Sequence, residues 1–340
     1  MDNVNIKKLA NALQLSTSTV SRAFRDNSDI NAATKARILA MAKEMNYQPN
    51  HYASNLREQK SKTIAVIVPE LGNNYFSLAI QGIERVASEK GYHILIYATN
   101  DQFEKEVSFI QHLHNGRADG IIMSVTGEAN DHNYLNELSK KRLPLVFFDR
   151  VYEDIITPRV TTNDYESSFT ATKHLIDQGC KRIAYLAVNK ALSIGKTRMQ
   201  GYIDALKKFK LPFHEELIID CTNNYNENID HLKQSFSILK PDGVFTSVER
   251  LAFATYYACY DLNISIPNDL KVIGFSSLEI APLLNPALST ITQPALELGK
   301  AAALLLFKLL ENPTTTPVTS HVILNSKLIK RHSTATETMS

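Results

Sequence analysis

Over the first forty-five residues the apolar positions recur at every third or fourth residue. In "NIKKLANALQL", Ile6, Leu9, Ala10 and Leu13 fall at i, i+3, i+4 and i+7, one face of a short helix. Ser16 follows as a good cap, and Val20, Ala23 and Phe24 mark the buried face of a second helix. Only about three residues separate the two, so they meet at a steep angle, which is helix-turn-helix spacing. "NAATKARILAMAKEMNY" predicts a third helix, capped by Asn31, with Ile38, Met41, Ala42 and Met45 turned inward. Pro49 bars that helix from continuing. Asn50 then caps a segment of about two turns carrying Ala53 and Leu56 on one side, a length barely helical in isolation.

From Lys62 the period changes. "KTIAVIVP" reads as a strand buried on both faces, "YFSLAIQGIERVASEKG" as an amphipathic helix ended by Gly91, and "YHILIYAT" as a strand again. "EVSFIQHLHNGRADGIIMS" and "LPLVFFD" continue the alternation, and a second series starts near "TATKHLIDQGCKRIAYLAV". The turn-and-strand segments "ADGIIMS" (118–124) and "PDGVFTS" (241–247) echo each other. Two α/β lobes of parallel sheet are expected, with a cleft between them where strand carboxyl ends face a ligand. The helix "PALELGKAAALLLFKLL" returns the chain to the first lobe.

Charge sharpens the division. Residues 1–60 hold nine Lys/Arg against five Asp/Glu, while the remaining 280 hold 28 against 30. A basic head on a faintly acidic body points the head toward a polyanion. Cys180, Cys221 and Cys259 are odd in number and far apart, as expected of buried thiols in a reducing compartment. The start "MDNVNIKKLA" lacks the apolar run of a signal peptide, and no stretch of about 18 apolar residues suggests a membrane span, so a cytoplasmic protein is expected.

The second helix carries the candidate chemistry of the head. Thr17, Ser18, Ser21, Arg22 and Arg25 share the face opposite its apolar residues. Hydroxyls bond phosphates, and an arginine bonds guanine edges bidentately in the major groove, so this is read as a recognition helix for DNA.

"IKKLANALQLSTSTVSRAFRDN" and "INAATKARILAMAKEMNYQPNHYASNL" resemble the head and hinge of the LacI/GalR family of transcription regulators. The Val-Ser-Arg and Asn-Tyr-x-Pro-Asn signatures are specific, and the likeness runs without large insertions to about residue 330. The resemblance implies an all-α helix-turn-helix head, residues 1–48, and a hinge helix and linker, 49–61. A two-lobed α/β body of the periplasmic-binding-protein type, two parallel-sheet subdomains, follows over 62–330. Its first lobe is expected at 62–161 and 291–319 and its second at 162–290 and 320–330, with crossovers near 161, 291 and 320. The polar stretch 331–340 lacks leucine heptads and is expected to be a disordered tail, so a homodimer is expected, not a tetramer.

By the same resemblance the dimer binds a palindromic double-stranded operator. Thr17, Ser18 and Arg22 are implied as base-reading or groove-edge residues, Ser16, Thr19, Ser21 and Asn50 as phosphate contacts, and Ala53 and Leu56 as the minor-groove pair. Gln14 stands where the family's turn often has Gly. A left-handed Gln costs up to about 1–2 kcal/mol, so a slightly different turn is expected there.

For the cleft, the resemblance implies a small-molecule effector, a carbohydrate or derivative, met by Asn73, Tyr75 and Phe76, by Asp149 in "FFDR" and by Arg198 in "KTRMQGY". Asp and Arg bond adjacent hydroxyls in pairs, and an aromatic ring covers a sugar's apolar face. The ordinary alternative for Asp149 is an ion pair with its neighbour Arg150. Two departures fall in the second lobe. Val248-Glu249 replaces the family's usual Asn-Asp or Ser-Asp, and Ser276-Ser277 replaces its usual Asp. With Glu249 and Ser276 as the residues facing ligand there, the acidic sugar clamp is weakened. That leaves a phosphometabolite or a protein partner open as the controlling ligand.

An enzyme is disfavoured: the chain has no G-x-S-x-G elbow, Walker A loop, G-x-G-x-x-G, H-E-x-x-H or Cys/His cluster at zinc spacing. No cofactor or metal is implied. A solute-binding protein shares the body's architecture, but the head and the missing export signal count against it. A repressor of sugar-uptake or catabolic genes is the expectation.

Overall fold

A computed structural model describes residues 5–24, 30–47, 60–113, 116–127, 132–140, 143–312 and 320–335. The chain divides into two units, Met1–Ser61 and Lys62–Ser340. In the first, the helices are α1 (Ile6–Leu13), α2 (Thr17–Ala23) and α3 (Ala32–Glu44), each started by a side-chain cap. Asn5 Oδ1 accepts from the Lys7 and Lys8 amides, Ser16 Oγ from Thr19, and Asn31 Oδ1 from Ala33. Leu9, Ala10, Leu13, Val20, Ala23, Ile38 and Ala42 close the core, so the apolar face of each helix points where its spacing requires. Arg37 Nη2 donates to the Leu13 carbonyl at 3.0 Å, satisfying an acceptor left over at the end of α1. The turn after α1 keeps the left-handed geometry: Gln14 has φ 54° and ψ 40°, and the Leu15 amide reaches Ala10 O at 3.0 Å. The altered turn expected from Gln14 is therefore corrected, because the i→i−5 bond closes the turn and the glutamine carries the strain.

The second unit begins with β1 (Thr63–Val68), α4 (Asn74–Glu89), β2 (His93–Ala98), α5 (Phe103–Leu113), β3 (Gly120–Met123), α6 (Asn133–Lys140), β4 (Leu145–Phe148) and β5 (Arg159–Thr162). The chain then crosses to α7 (Asp164–Asp177), β6 (Ile183–Ala187), α8 (Ser193–Lys208), β7 (Ile218–Asp220), α9 (Tyr225–Leu239), β8 (Gly243–Thr246), α10 (Glu249–Asp261), β9 (Lys271–Phe275) and β10 (Ser289–Thr292). It returns through α11 (Ala295–Glu311) and β11 (His321–Leu324) and crosses a third time into β12 (Lys327–Ile329). The strand orders are β2-β1-β3-β4-β5-β11 and β7-β6-β8-β9-β10-β12, parallel throughout except for the β10–β12 pair. Helices cover both faces, which is why strands such as β1 are apolar at nearly every position. α11 locks onto α4 through two glycines. A Cβ on Gly299 would stand 1.9 Å from the Ala79 carbonyl oxygen, and one on Gly82 2.1 Å from that of Leu296.

Three expected boundaries move. β10 runs to Thr292 in the second sheet, so the second crossover follows Gln293. β11 pairs in parallel with β5, His321 with Arg159 through Leu324 with Thr162, so residues 320–324 belong to the first lobe and the third crossover follows Leu324. The tail expected from Arg331 is corrected as well. Ser333 and Thr334 are buried: the Val272 amide donates to Ser333 O at 2.9 Å, and Thr334 Oγ1 meets His174 Nε2 at 2.8 Å. Short hydroxyl side chains look solvated in sequence, yet here they satisfy buried backbone and imidazole groups.

Candidate functional site

On α2, Val20 and Ala23 are buried while Thr17, Ser18 and Arg22 are exposed; Thr19 and Ser21 are half-buried. Ser16 is exposed but committed. Its Oγ accepts from the Thr19 amide and lies 2.7 Å from Ser18 Oγ and 2.8 Å from Thr19 Oγ1. Arg25 and the hinge residues Asn50, Ala53 and Leu56 lie outside the described residues.

In the second unit the carboxyl ends of both sheets face one cleft. All seven residues singled out there line it: Asn73, Tyr75, Phe76, Asp149, Arg198, Glu249 and Ser276. Asn73 caps α4, its Oδ1 accepting from the Tyr75 amide at 2.9 Å. Phe76 is both wall and core, edge-on to Tyr75 and to Phe148. Asp149 leaves β4 with φ 60°, a left-handed conformation that Asp tolerates better than most residues.

Arg198 is the centre of the floor. It is 5 % exposed, its Nε donates to Asp164 Oδ1 at 2.6 Å, its Nη1 donates to Ser247 O at 2.6 Å, and its guanidinium lies 3.7 Å over the Phe275 ring. Burial works against that charge, but Asp164 and Asp149 outweigh it and hold the guanidinium above its ordinary pKa. Asp164 is fixed in turn by Thr162 Oγ1 at 2.9 Å, and Thr162 by Gln293 Nε2 at 3.1 Å, so a hydrogen-bond chain ties the floor to two crossovers. Burial pushes the Asp149 carboxyl up, with Arg150 and then Arg198 pulling it back. The ordinary alternative for Asp149 is corrected: Arg150 Nη1 bonds Asp101 Oδ1 at 2.6 Å. Glu249 is already occupied, its Oε2 accepting from Ser276 Oγ at 2.7 Å and from the Ser277 amide at 3.2 Å, while burial raises its pKa.

The Tyr75 hydroxyl and Ser247 Oγ are buried without a hydrogen-bond partner of good geometry. The Tyr75 hydroxyl is nevertheless held well above its ordinary pKa, by burial first and then by the nearby Asp149. Sequence reasoning missed Asp164, Ser247, Phe275 and Gln293. Asp164 had one faint signal, an acid opening a helix just after a strand end, and Ser247 and Phe275 had only their place at strand carboxyl ends; Gln293 had none. Among the described residues no cluster of His, Cys, Asp and Glu could hold a metal ion, and no helix is long and apolar enough to cross a membrane.

Residues 5–50 match the model of bacterial regulatory proteins, lacI family, and residues 172–334 match that of a periplasmic binding protein-like domain. The chain is 27 % identical over 314 residues to catabolite control protein A of Priestia megaterium, covering 92 % of this chain and 94 % of the relative. It is 27 % identical over 310 residues to the ribose operon repressor of Haemophilus influenzae, covering 91 % and 92 %. The crystal structure of the lac repressor dimer bound to operator and an anti-inducer superposes with a TM-score of 0.84, covering 98 % of this chain and 100 % of that one, at 20 % identity. At that identity the likeness is one of fold.

Proposed function

Since this chain belongs to the lacI family of bacterial regulatory proteins, a family of DNA-binding transcription regulators, we propose that it is a cytoplasmic repressor of genes for the uptake or breakdown of a sugar-like compound. In this reading it is not an enzyme, and it works as a homodimer on a palindromic operator. Thr17, Ser18 and Arg22 meet the bases, and the hydroxyls of Ser16, Thr19 and Ser21 with Asn50 meet phosphates. Ala53 and Leu56 form the minor-groove pair. One similar protein is a ribose operon repressor, which favours both the repressor role and a sugar ligand.

The observation that carries the ligand class is the state of the charges in the cleft. Arg198 is held by Asp164 and Arg150 by Asp101, while Asp149 and Glu249 face the same space. Among the described residues a phosphate would find no unpaired cation there and would meet carboxylates, so an uncharged polyhydroxylated ligand is favoured over a phosphometabolite. Its hydroxyls would pair with Asp149 and with the unpartnered Tyr75 and Ser247 hydroxyls, and Phe76 would cover its apolar face. Among the described residues the charged groups of the lining are two carboxylates and two guanidiniums, with no histidine or cysteine to serve as base or nucleophile.

A dimer has surface available. β2 is an edge strand carrying half-exposed Leu95 and Ile96, and Tyr260 and Leu283 are 82 % and 81 % exposed. An effector that binds one spacing of the lobes more tightly shifts the population toward it, and with it the operator affinity. The test is to select DNA from a random pool with the full-length protein and to titrate the winners with sugars. Inverted-repeat sites whose binding changes with a sugar are expected. Sites without dyad symmetry, insensitive to every sugar, would overturn the reading.

A further inference from the structure

The rim of the cleft opposite the crossovers is spanned by side chains. The strand orders put β2 and β7 at the edges farthest from β5 and β10, where the chain crosses between lobes. Asp101 follows β2 and Asn223 follows β7; Glu70 follows β1, and Arg250 opens α10 after β8. Arg250 Nη1 of the second lobe lies 3.3 Å from Glu70 Oε2 of the first. Arg250 Nη2 donates to Asn223 Oδ1 at 2.5 Å, and Asn223 Nδ2 crosses back to Asp101 Oδ2 at 3.1 Å. Both ends of this belt finish on residues that line the cleft. Glu70 Oε1 accepts from Asn73 Nδ2 at 2.9 Å, and Asp101 Oδ1 accepts from Arg150 Nη1 at 2.6 Å. The belt is partly sheltered: the side chains of Arg150, Asp101, Arg250 and Glu70 are 9, 19, 23 and 33 % exposed.

We infer that the belt Asn73–Glu70–Arg250–Asn223–Asp101–Arg150 closes the mouth over its ligand, so that the cleft takes a single sugar ring and refuses a disaccharide. This rests on the reading of the cleft as a site for an uncharged polyhydroxylated effector. A second ring joined to the first would leave through the rim, where it would have to break both inter-lobe contacts of the belt, stripping Glu70 of its cation and Asp101 of the Asn223 amide. A single ring reaches the floor at Arg198 and Asp149 with the belt intact, and the belt gives closure a fixed end point. A further inter-lobe contact, from Asn74 Nδ2 to Ser277 O at 2.8 Å, holds the adjoining wall against α4.

The experiment is calorimetric titration of the full-length protein with six monosaccharides (ribose, xylose, glucose, galactose, mannose, fructose) and four disaccharides (sucrose, maltose, lactose, cellobiose). It is repeated on Asn223→Ala and Arg250→Met, with circular dichroism to confirm the fold of each. The wild type is expected to bind at least one monosaccharide and no disaccharide. The variants are expected to bind that monosaccharide about tenfold more weakly and to admit a disaccharide containing it. A disaccharide bound by the wild type overturns the size limit and leaves the sugar reading standing. Unchanged affinity and unchanged selectivity in both variants overturns the belt. If the wild type binds none of the ten, the sugar reading fails, and small-angle scattering judges the belt alone. A larger radius of gyration in both variants upholds the mouth closure, and an unchanged radius overturns it.

Discussion

On α2 of the head, Arg22, Thr17 and Ser18 stand in solvent; on the floor of the cleft, Arg198 and Asp149 are 5 % and 7 % exposed. The same kind of side chain is handled in opposite ways. An exposed arginine costs the fold almost nothing to carry and acts only when a polyanion arrives, by releasing counterions or bonding a base edge. A buried arginine has already lost its hydration, and Asp164, the Ser247 carbonyl and the Phe275 face replace it. Polar groups on the head are therefore expected to separate cleanly from stability. Those in the cleft serve stability and binding together, because the ligand finishes a network that the fold has already begun.

The sharpest way to break this contrast is Arg198→Ala. Removing one partner of a buried pair leaves the Asp164 carboxylate uncompensated, and a loss of about 3–5 kcal/mol in stability is expected. Chemical denaturation of the body transition measures it. Arg198→Ala combined with Asp164→Asn should lose less than the two single changes together, since the stranded charge is then gone. A loss below about 1 kcal/mol would place Arg198 with the exposed charges and remove the distinction.

The mirror experiment is Arg22→Ala, where the whole effect should appear on DNA. A cost of about 1–3 kcal/mol is expected on the operator, with stability unchanged within about 0.5 kcal/mol. Binding to selected and to random DNA, measured by anisotropy at several salt concentrations, checks it. Equal losses on both, with a shallower salt dependence, would reduce Arg22 to a phosphate contact.

What could be read in sequence follows the range of the interactions. The head was legible because its helices, caps and core positions repeat locally: Ile6 through Leu13, Ser16, Asn31 and Ile38 through Met45 each declare themselves within a turn or two. The alternating elements of the body were legible for the same reason, as were cleft residues in recognisable segments, such as Asp149 at a strand end and Arg198 before Gly201-Tyr202. The belt was not, because Asp101 and Asn223 stand 122 positions apart and meet only through the juxtaposition of two sheets. Ser247 was equally hidden, since its carbonyl, not its side chain, receives Arg198. The boundaries at 291, 320 and 331 moved because strand pairing sets them. His321–Leu324 reads as a strand in either lobe until its register with β5 is known, and Ser333 and Thr334 reveal their burial only once Val272 and His174 are beside them.

The smallest effect lies in the head's own turn and tests whether its stability can be changed without touching its reading face. Gln14 holds φ 54°, which costs a non-glycine residue about 1–2 kcal/mol. Gln14→Gly relieves that strain but gives back about 0.5–1 kcal/mol through the greater freedom of glycine in the unfolded chain. The net gain expected is up to about 1.5 kcal/mol, a slowing of hydrogen exchange of roughly twelvefold at most. It should appear at the amides of Leu15 and Val20, which close the turn and begin α2 with bonds to Ala10 O and Ser16 O. Measured in the full-length protein, the slowing should stay within the head, and affinity for the selected operator should not change, because Thr17, Ser18 and Arg22 keep their positions on α2. Faster exchange would mean that the Gln14 side chain contributes more to the turn than its backbone costs. Altered operator preference at unchanged exchange would extend the reading face back into the turn, and the separation between stability and recognition in the head would then have to be redrawn around Gln14.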